Sequence, residues 1–193
     1  MKGKLGRTGW MAFVGLACWF LSAWPFRAQS HPSNLNALKG QMRVFEAVID
    51  GTMAQTFAPP FGLLEKTQGT YLPGFGLAFS LEVNLYPLRE PNPFNMTPLS
   101  KSELEKAEKV KRERIAAVKE SVPRLLADHA MSLRDLGSAE SVAVIVHLFE
   151  VEPGEAKFPD QLVIETRKSD LDQFWDRKIT YPALVAKMKV LEL

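Results

Sequence analysis

The sequence predicts an α+β fold: a small, mainly antiparallel sheet, made of a hairpin and two later strands, packed with three helices behind a signal peptide or N-terminal membrane helix. Three observations predict it. Apolar residues recur at helical spacing from Leu35 to Met53, they alternate with polar ones from Leu77 to Tyr86, and Val142 to Phe149 is almost wholly apolar and rich in β-branched residues. Helix, hairpin, long helix, two strands and closing helix follow one another, an order that fits a domain of one or two layers.

The chain opens with Lys2, Lys4 and Arg7, continues without charge from Thr8 to Phe26, and then places Ala28-Gln29-Ser30 before His31. This is the layout of a secretory leader, with cleavage expected between Ser30 and His31. The uncharged run is also long enough for a single helical span, which Trp10, Trp19 and Trp24 would suit as interfacial anchors. Pro25 and the polar Ala28-Gln29-Ser30 favour processing. Lipid attachment at Cys18 fits poorly, because Gly15 stands where leucine is wanted. Either way, residues 1–30 are a signal peptide or membrane anchor and residues 31–193 a single exported α+β domain, periplasmic or in the cell envelope. If the leader is kept, the domain is anchored in the inner membrane by residues 8–26, its one membrane contact.

The leader also explains the charge. It holds four of the 24 basic residues and none of the 22 acidic ones, so the remainder is mildly acidic and offers no basic surface for nucleic acid. Cys18 is the only cysteine. The exported part therefore has neither disulfides nor thiolate metal ligands, and its core must hold it together.

Leu35, Leu38, Met42, Phe45, Ile49 and Met53 share one helical face, with Ser33 as the expected N-cap and Gly40 and Gly51 as weak points. Pro59-Pro60 ends this helix, and Phe61 to Gly69 reads as a loop or short helical turn. Thr70 to Leu72 is read as a short strand, Pro73-Gly74 as a turn, and Leu77 to Tyr86 as the long strand of an unequal hairpin. Pro87, Pro91, Pro93 and Pro98 then make a linker.

Ser102 and Glu105 form a capping-box pattern for a long helix. Its first half is highly charged, with Glu105/Lys109 and Glu108/Arg112 spaced to pair, and reads as solvent-exposed. Its second half carries Ile115, Val118, Val122, Leu125, His129, Leu133 and Leu136 on one face, with a kink expected at Pro123 and closure at Gly137. Val142 to Phe149 is expected to be a central strand buried on both faces. Leu162 to Arg167 is a further strand, Ser169 and Asp172 open a helix, Thr180 starts a last helical segment through Met188, and Val190 to Leu193 forms an edge strand.

No catalytic motif emerges. Gly74-Phe75-Gly76 lacks the third glycine of a dinucleotide fingerprint, since Phe79 stands there, and it leads into a strand. His31, His129 and His147 are the only histidines and lack metal-ligand spacing, so no metal or cofactor is expected. Ser138 and Ser141 lie in a helix-to-strand connection rather than a nucleophile elbow. Glu82, His147 and Glu165 are the candidates for a carboxylate/histidine site, provided the fold gathers them in a cleft. The aromatic set Tyr71, Phe75 and Tyr86 marks the hairpin as a candidate partner-binding patch.

The run Tyr71-Leu72-Pro73-Gly74-Phe75-Gly76-Leu77-Ala78-Phe79, followed by Leu81-Glu82-Val83-Asn84, resembles a segment of an uncharacterised family of exported bacterial proteins with a Tyr-x-x-Gly-aromatic-Gly hairpin. The later helix, apolar strand and terminal helix are similar too. The resemblance implies no activity, cofactor or catalytic residue. The expectation is thus a non-enzymatic binding or scaffolding domain with an envelope protein as partner; the alternative is an envelope hydrolase.

Overall fold

A computed structural model describes residues 34–57, 61–85, 100–149 and 158–193. Ser30, His31 and Tyr86 fall outside these residues, as does the leader. Helix α1 (Leu35–Thr56) leads into strands β1 (Gly62–Leu72) and β2 (Gly76–Asn84), helix α2 (Lys101–His129) and strands β3 (Ser141–Leu148) and β4 (Gln161–Arg167). Helices α3 (Lys168–Trp175) and α4 (Tyr181–Val185) and strand β5 (Lys189–Glu192) complete it. The five strands lie in chain order, β1-β2-β3-β4-β5. All pairs are antiparallel except β2 with β3, which α2 joins as a crossover. This is the expected α+β class.

Alternation dictates one covered face. Leu77, Phe79, Leu81 and Val83 of β2, Val142, Val144 and Val146 of β3, and Leu162 and Ile164 of β4 are buried against the helices. The α1 stripe Leu38, Met42, Phe45, Ile49 and Met53 meets them, with the Phe45 and Phe79 rings 4.9 Å apart. Helix α2 adds Ile115, Val118, Val122, Leu125 and Leu126, while α3 adds Leu171 and α4 adds Leu184. Fully burying each such side chain contributes about 1.5–3 kcal/mol relative to exposure.

Several local expectations are corrected. Asn34 caps α1, accepting the Ala37 N–H at 3.1 Å. The capping box of α2 is Ser100 with Glu103, two residues upstream of Ser102 and Glu105. Both pairs have the required spacing, and the upstream one lengthens the helix. Helix α2 ends at His129, a 3₁₀ turn follows at Ala130–Ser132, and Leu133 and Leu136 are buried from irregular chain, so Gly137 closes no helix. His129 itself is exposed. Residues 62–69, expected as loop, belong to β1. Arg167, not Ser169, precedes α3, and α4 stops at Val185 rather than Met188.

Strand β3 is central, as expected, but fully covered on one face only. Ala143 is buried on the side away from the helices, whereas Ile145 is half-buried and His147 exposed. No helix of the described residues is long and apolar enough to cross a membrane, and Thr8 to Phe26 lies outside them.

Candidate binding surface

The helix-free face of the sheet is read from strand register. One row runs Thr70, Ala78, Ala143, Glu165, Lys189; the next runs Gln68, Ser80, Ile145, Val163, Leu191; a third holds Glu65, Glu82, His147 and Gln161. The middle row is apolar from Ile145 to Leu191 and ends at the sheet edge, where Leu191 is 49% exposed. Among the described residues no helix lies over this face, where Ile145 and Val163 are half-buried and Leu191 exposed, an apolar strip of the kind that can hold another surface.

The predicted carboxylate/histidine residues occupy this face without forming one site. Glu82 and His147 are cross-strand partners, and His147 Nε2 lies 3.1 Å from Ser80 Oγ. Gln161 Nε2 sits 3.4 Å from His147 Nδ1. Glu165 stands opposite Ala143, four residues along β4 from Gln161, about 13 Å away at the usual strand rise. Glu82 and Glu165 do not stand on adjoining strands, because β3 separates β2 from β4. Glu165 instead accepts from Ser141 Oγ at 3.1 Å and pairs with Lys189 at 3.3 Å. It lines a shallow cavity of about 390 Å³ with Thr166, Arg167, Asp170, Lys187 and Lys189, in which Asp170 and Lys187 are also paired, at 2.7 Å. A second cavity, of about 20 Å³ between Leu85, Ile115, Phe149 and Phe158, holds none of the three candidates. Ser80 is half-buried and His147 exposed, and neither lines either of these two cavities.

The hairpin aromatics are partly committed to structure. Leu72-Pro73-Gly74-Phe75 is a tight turn with Phe75 N–H bonded to Leu72 O at 3.0 Å and Gly74 at φ +83°. Phe75 is half-buried, and its carbonyl accepts the Ser141 N–H at 2.7 Å. Tyr71 is also half-buried and donates its hydroxyl to Glu140 Oε1 at 2.6 Å. Burial, then the hydrogen bond to Glu140 and the carboxylate charge, push the Tyr71 phenol up to about 12. Glu140 Oε2 accepts the Gly137 N–H at 2.7 Å, and the Glu140 carbonyl accepts the Lys168 N–H at 2.8 Å. One buried carboxylate therefore ties the hairpin tip to the approach of β3, while its backbone holds the start of α3.

Sequence reading missed Glu140, whose partner lies 69 positions away, and the α1 acids Glu46 and Asp50. Asp50 accepts both the N–H and the hydroxyl of Thr67, at 2.9 and 2.7 Å, and Glu46 accepts the Gly69 N–H at 2.7 Å. The available signal was their i,i+4 spacing beside the apolar stripe of α1. Among the described residues, no cluster of three or more His, Cys, Asp or Glu side chains is placed to hold a metal ion. Comparison with family models, curated proteins and solved structures yields no match to this chain.

Proposed function

We propose that this chain is an exported, non-enzymatic domain that binds or scaffolds another component of the cell envelope, using the helix-free face of its sheet. The observation that carries the reading is the apolar row Ile145, Val163 and Leu191, half-buried to exposed and with no helix of the described residues over it, flanked by Ser80, Gln68, Glu82 and His147. The hairpin contributes through its outward residues Gln68, Thr70, Ser80 and Glu82 and the half-buried Phe75, whereas Tyr71 serves mainly to hold the hairpin in place. Export rests on the leader layout of residues 1–30. An envelope partner is the matching occupant because a domain delivered there meets other envelope chains.

The hydrolase alternative draws its support from the Ser80–His147 contact alone. Among the described residues the group nearest the far ring nitrogen is the Gln161 amide, 3.4 Å from His147 Nδ1, and not a carboxylate of the kind that orients a catalytic imidazole. The test is photocrosslinking of the full-length protein in its own cells, with a photoreactive side chain at Ile145 or Phe75 and, as comparison, at exposed Lys106 on α2. Capture of a defined envelope protein from Ile145 or Phe75 but not Lys106 is expected. Equal capture from all three positions would sink the proposal.

A further inference from the structure

The two edges of the sheet are treated differently. At the β1 edge, the N–H groups of Thr67 and Gly69 donate to Asp50 and Glu46 of α1, and register irregularities interrupt the strand between Leu63 and Glu65 and between Glu65 and Gln68. Side-chain acceptors and bulges are both devices that stop a sheet from adding another strand. At the β5 edge there is no such guard among the described residues. All four residues of β5 are exposed, with Val190 at 44%, and Leu193 beyond it is exposed too. Lys189, the residue type that usually protects an edge, lies back across the face on Glu165 at 3.3 Å.

Backbone phase fixes what this edge offers. Gln161 and Leu193 exchange both of their N–H···O bonds, at 3.1 and 3.0 Å. Alternation in an antiparallel ladder then makes Val163/Leu191 and Glu165/Lys189 the other bonded pairs. The N–H and C=O groups of Val190 and Glu192 therefore point away from the sheet.

We infer that β5 pairs with β5 of a second copy of this chain, forming a two-fold dimer with one continuous ten-stranded sheet. A two-fold axis perpendicular to the sheet, through Leu191, sets Val190 opposite the partner copy's Glu192 and makes them the bonded pairs, using the groups β5 leaves outward. The register is self-complementary in side chains as well. Leu191 meets its own copy, Lys189 faces Leu193, and no like charges stand opposite each other. A register centred on Glu192 would oppose two carboxylates, and one centred on Val190 would leave the outward groups of Glu192 beyond the end of the partner strand. On the helix-free face, the row Ile145, Val163, Leu191 then runs unbroken into its symmetry mate, which gives the exposed end of that row a cover. Because the β1 edge is capped, pairing closes at two copies and does not propagate into a filament.

This inference shares Leu191 with the envelope-binding reading but does not rest on it, since it is argued from the backbone of an edge strand and a partner supplied by the chain itself. Its test uses the full chain with Cys18→Ser, purified in mild detergent. Leu191→Cys should form a covalent dimer on oxidation, because residues facing each other in a non-bonded antiparallel pair have Cα atoms about 4.5 Å apart, within disulfide reach. Ala139→Cys, on an exposed loop, should not. Val190→Pro removes an N–H that points outward rather than into the ladder with β4, so it should keep the far-ultraviolet circular dichroism of the parent while abolishing both the Leu191→Cys crosslink and the dimer mass by light scattering. A monomeric parent, a Leu191→Cys crosslink no faster than that of Ala139→Cys, or a dimer that survives Val190→Pro would each overturn it.

Discussion

Tyr71 and Glu140, separated by 69 positions in sequence, are joined by a 2.6 Å hydrogen bond in which the phenol donates to a carboxylate that is 3% exposed. The bond couples the end of β1 to the loop that feeds β3. Without it, Glu140 would keep the Gly137 N–H at 2.7 Å but lose its strongest neutral donor. Tyr71→Phe should therefore cost about 1–3 kcal/mol, the range for removing one partner of a buried charged acceptor, as read by urea unfolding.

The same contact sets a pH dependence. The phenol is pushed up from 10.0 to about 12 by burial first, then by the bond to Glu140 and its charge. A raised pKa means the folded protein holds this proton more tightly than the unfolded chain does, so the contribution is complete below about pH 10 and is lost as pH rises toward 12. Stability of the parent should fall across that window. Tyr71→Phe should show a shallower fall, and an unchanged slope would remove Tyr71 as its cause.

Gly76 is required by geometry. Its φ is +127°, and a Cβ there would lie 2.1 Å from Ser141 O and 2.8 Å from Ser141 N, both backbone atoms that cannot swing aside. Gly76→Ala should cost on the order of 4 kcal/mol or more and separate β2 from the start of β3. Gly40 is the opposite case, a glycine within α1 with nothing within 4 Å of the added atom. Gly40→Ala should stabilise by about 0.5–1 kcal/mol in the same unfolding assay.

Parts of the fold that depend on one segment at a time were legible. The buried stripe of α1 and the alternation of β2 follow directly from local spacing, as do the Pro73-Gly74 turn and the edge position of β5. The first half of β1 was not, because its two register irregularities interrupt the period of two that marks a strand. His147 was misjudged for a different reason. Its strand is apolar enough to be covered on both sides, yet the helices cover one, and no local pattern reports which faces find a partner. The groupings of Glu140 with Tyr71 and of Asp50 with Thr67 depend on chain pairing, so composition and spacing carried no trace of them beyond the placement of the acids.

Ser80 and His147 provide a direct reading of the hydrolase alternative. Their 3.1 Å contact lies on an exposed surface, and His147 is itself exposed. Ser80→Ala and His147→Ala should each change stability by less than about 0.5 kcal/mol, as surface substitutions usually do. Under the binding reading both variants should also leave ester and amide hydrolysis at the background seen with the parent. A parent rate that either substitution abolishes would establish the hydrolase instead.

Asp50 offers the sharpest separation of charge from hydrogen-bond geometry. A single oxygen, Oδ1, receives both the backbone N–H and the hydroxyl of Thr67, a residue 5% exposed at the capped edge of the sheet. Asp50→Ala removes both hydrogen bonds at once and leaves a strand N–H without its partner, so it should cost about 1.5–3 kcal/mol, the range for bonds to a charged group. Asp50→Asn keeps a carbonyl oxygen in the same place and should lose less than half as much. Because Gly69 N–H still has Glu46 in either variant, the edge opens fully only when Glu46→Ala is added to Asp50→Ala. That double variant should exchange the Thr67 and Gly69 amide protons faster than either single one. If hydrogen exchange at these two amides is unaltered, the α1 carboxylates are not what closes this edge.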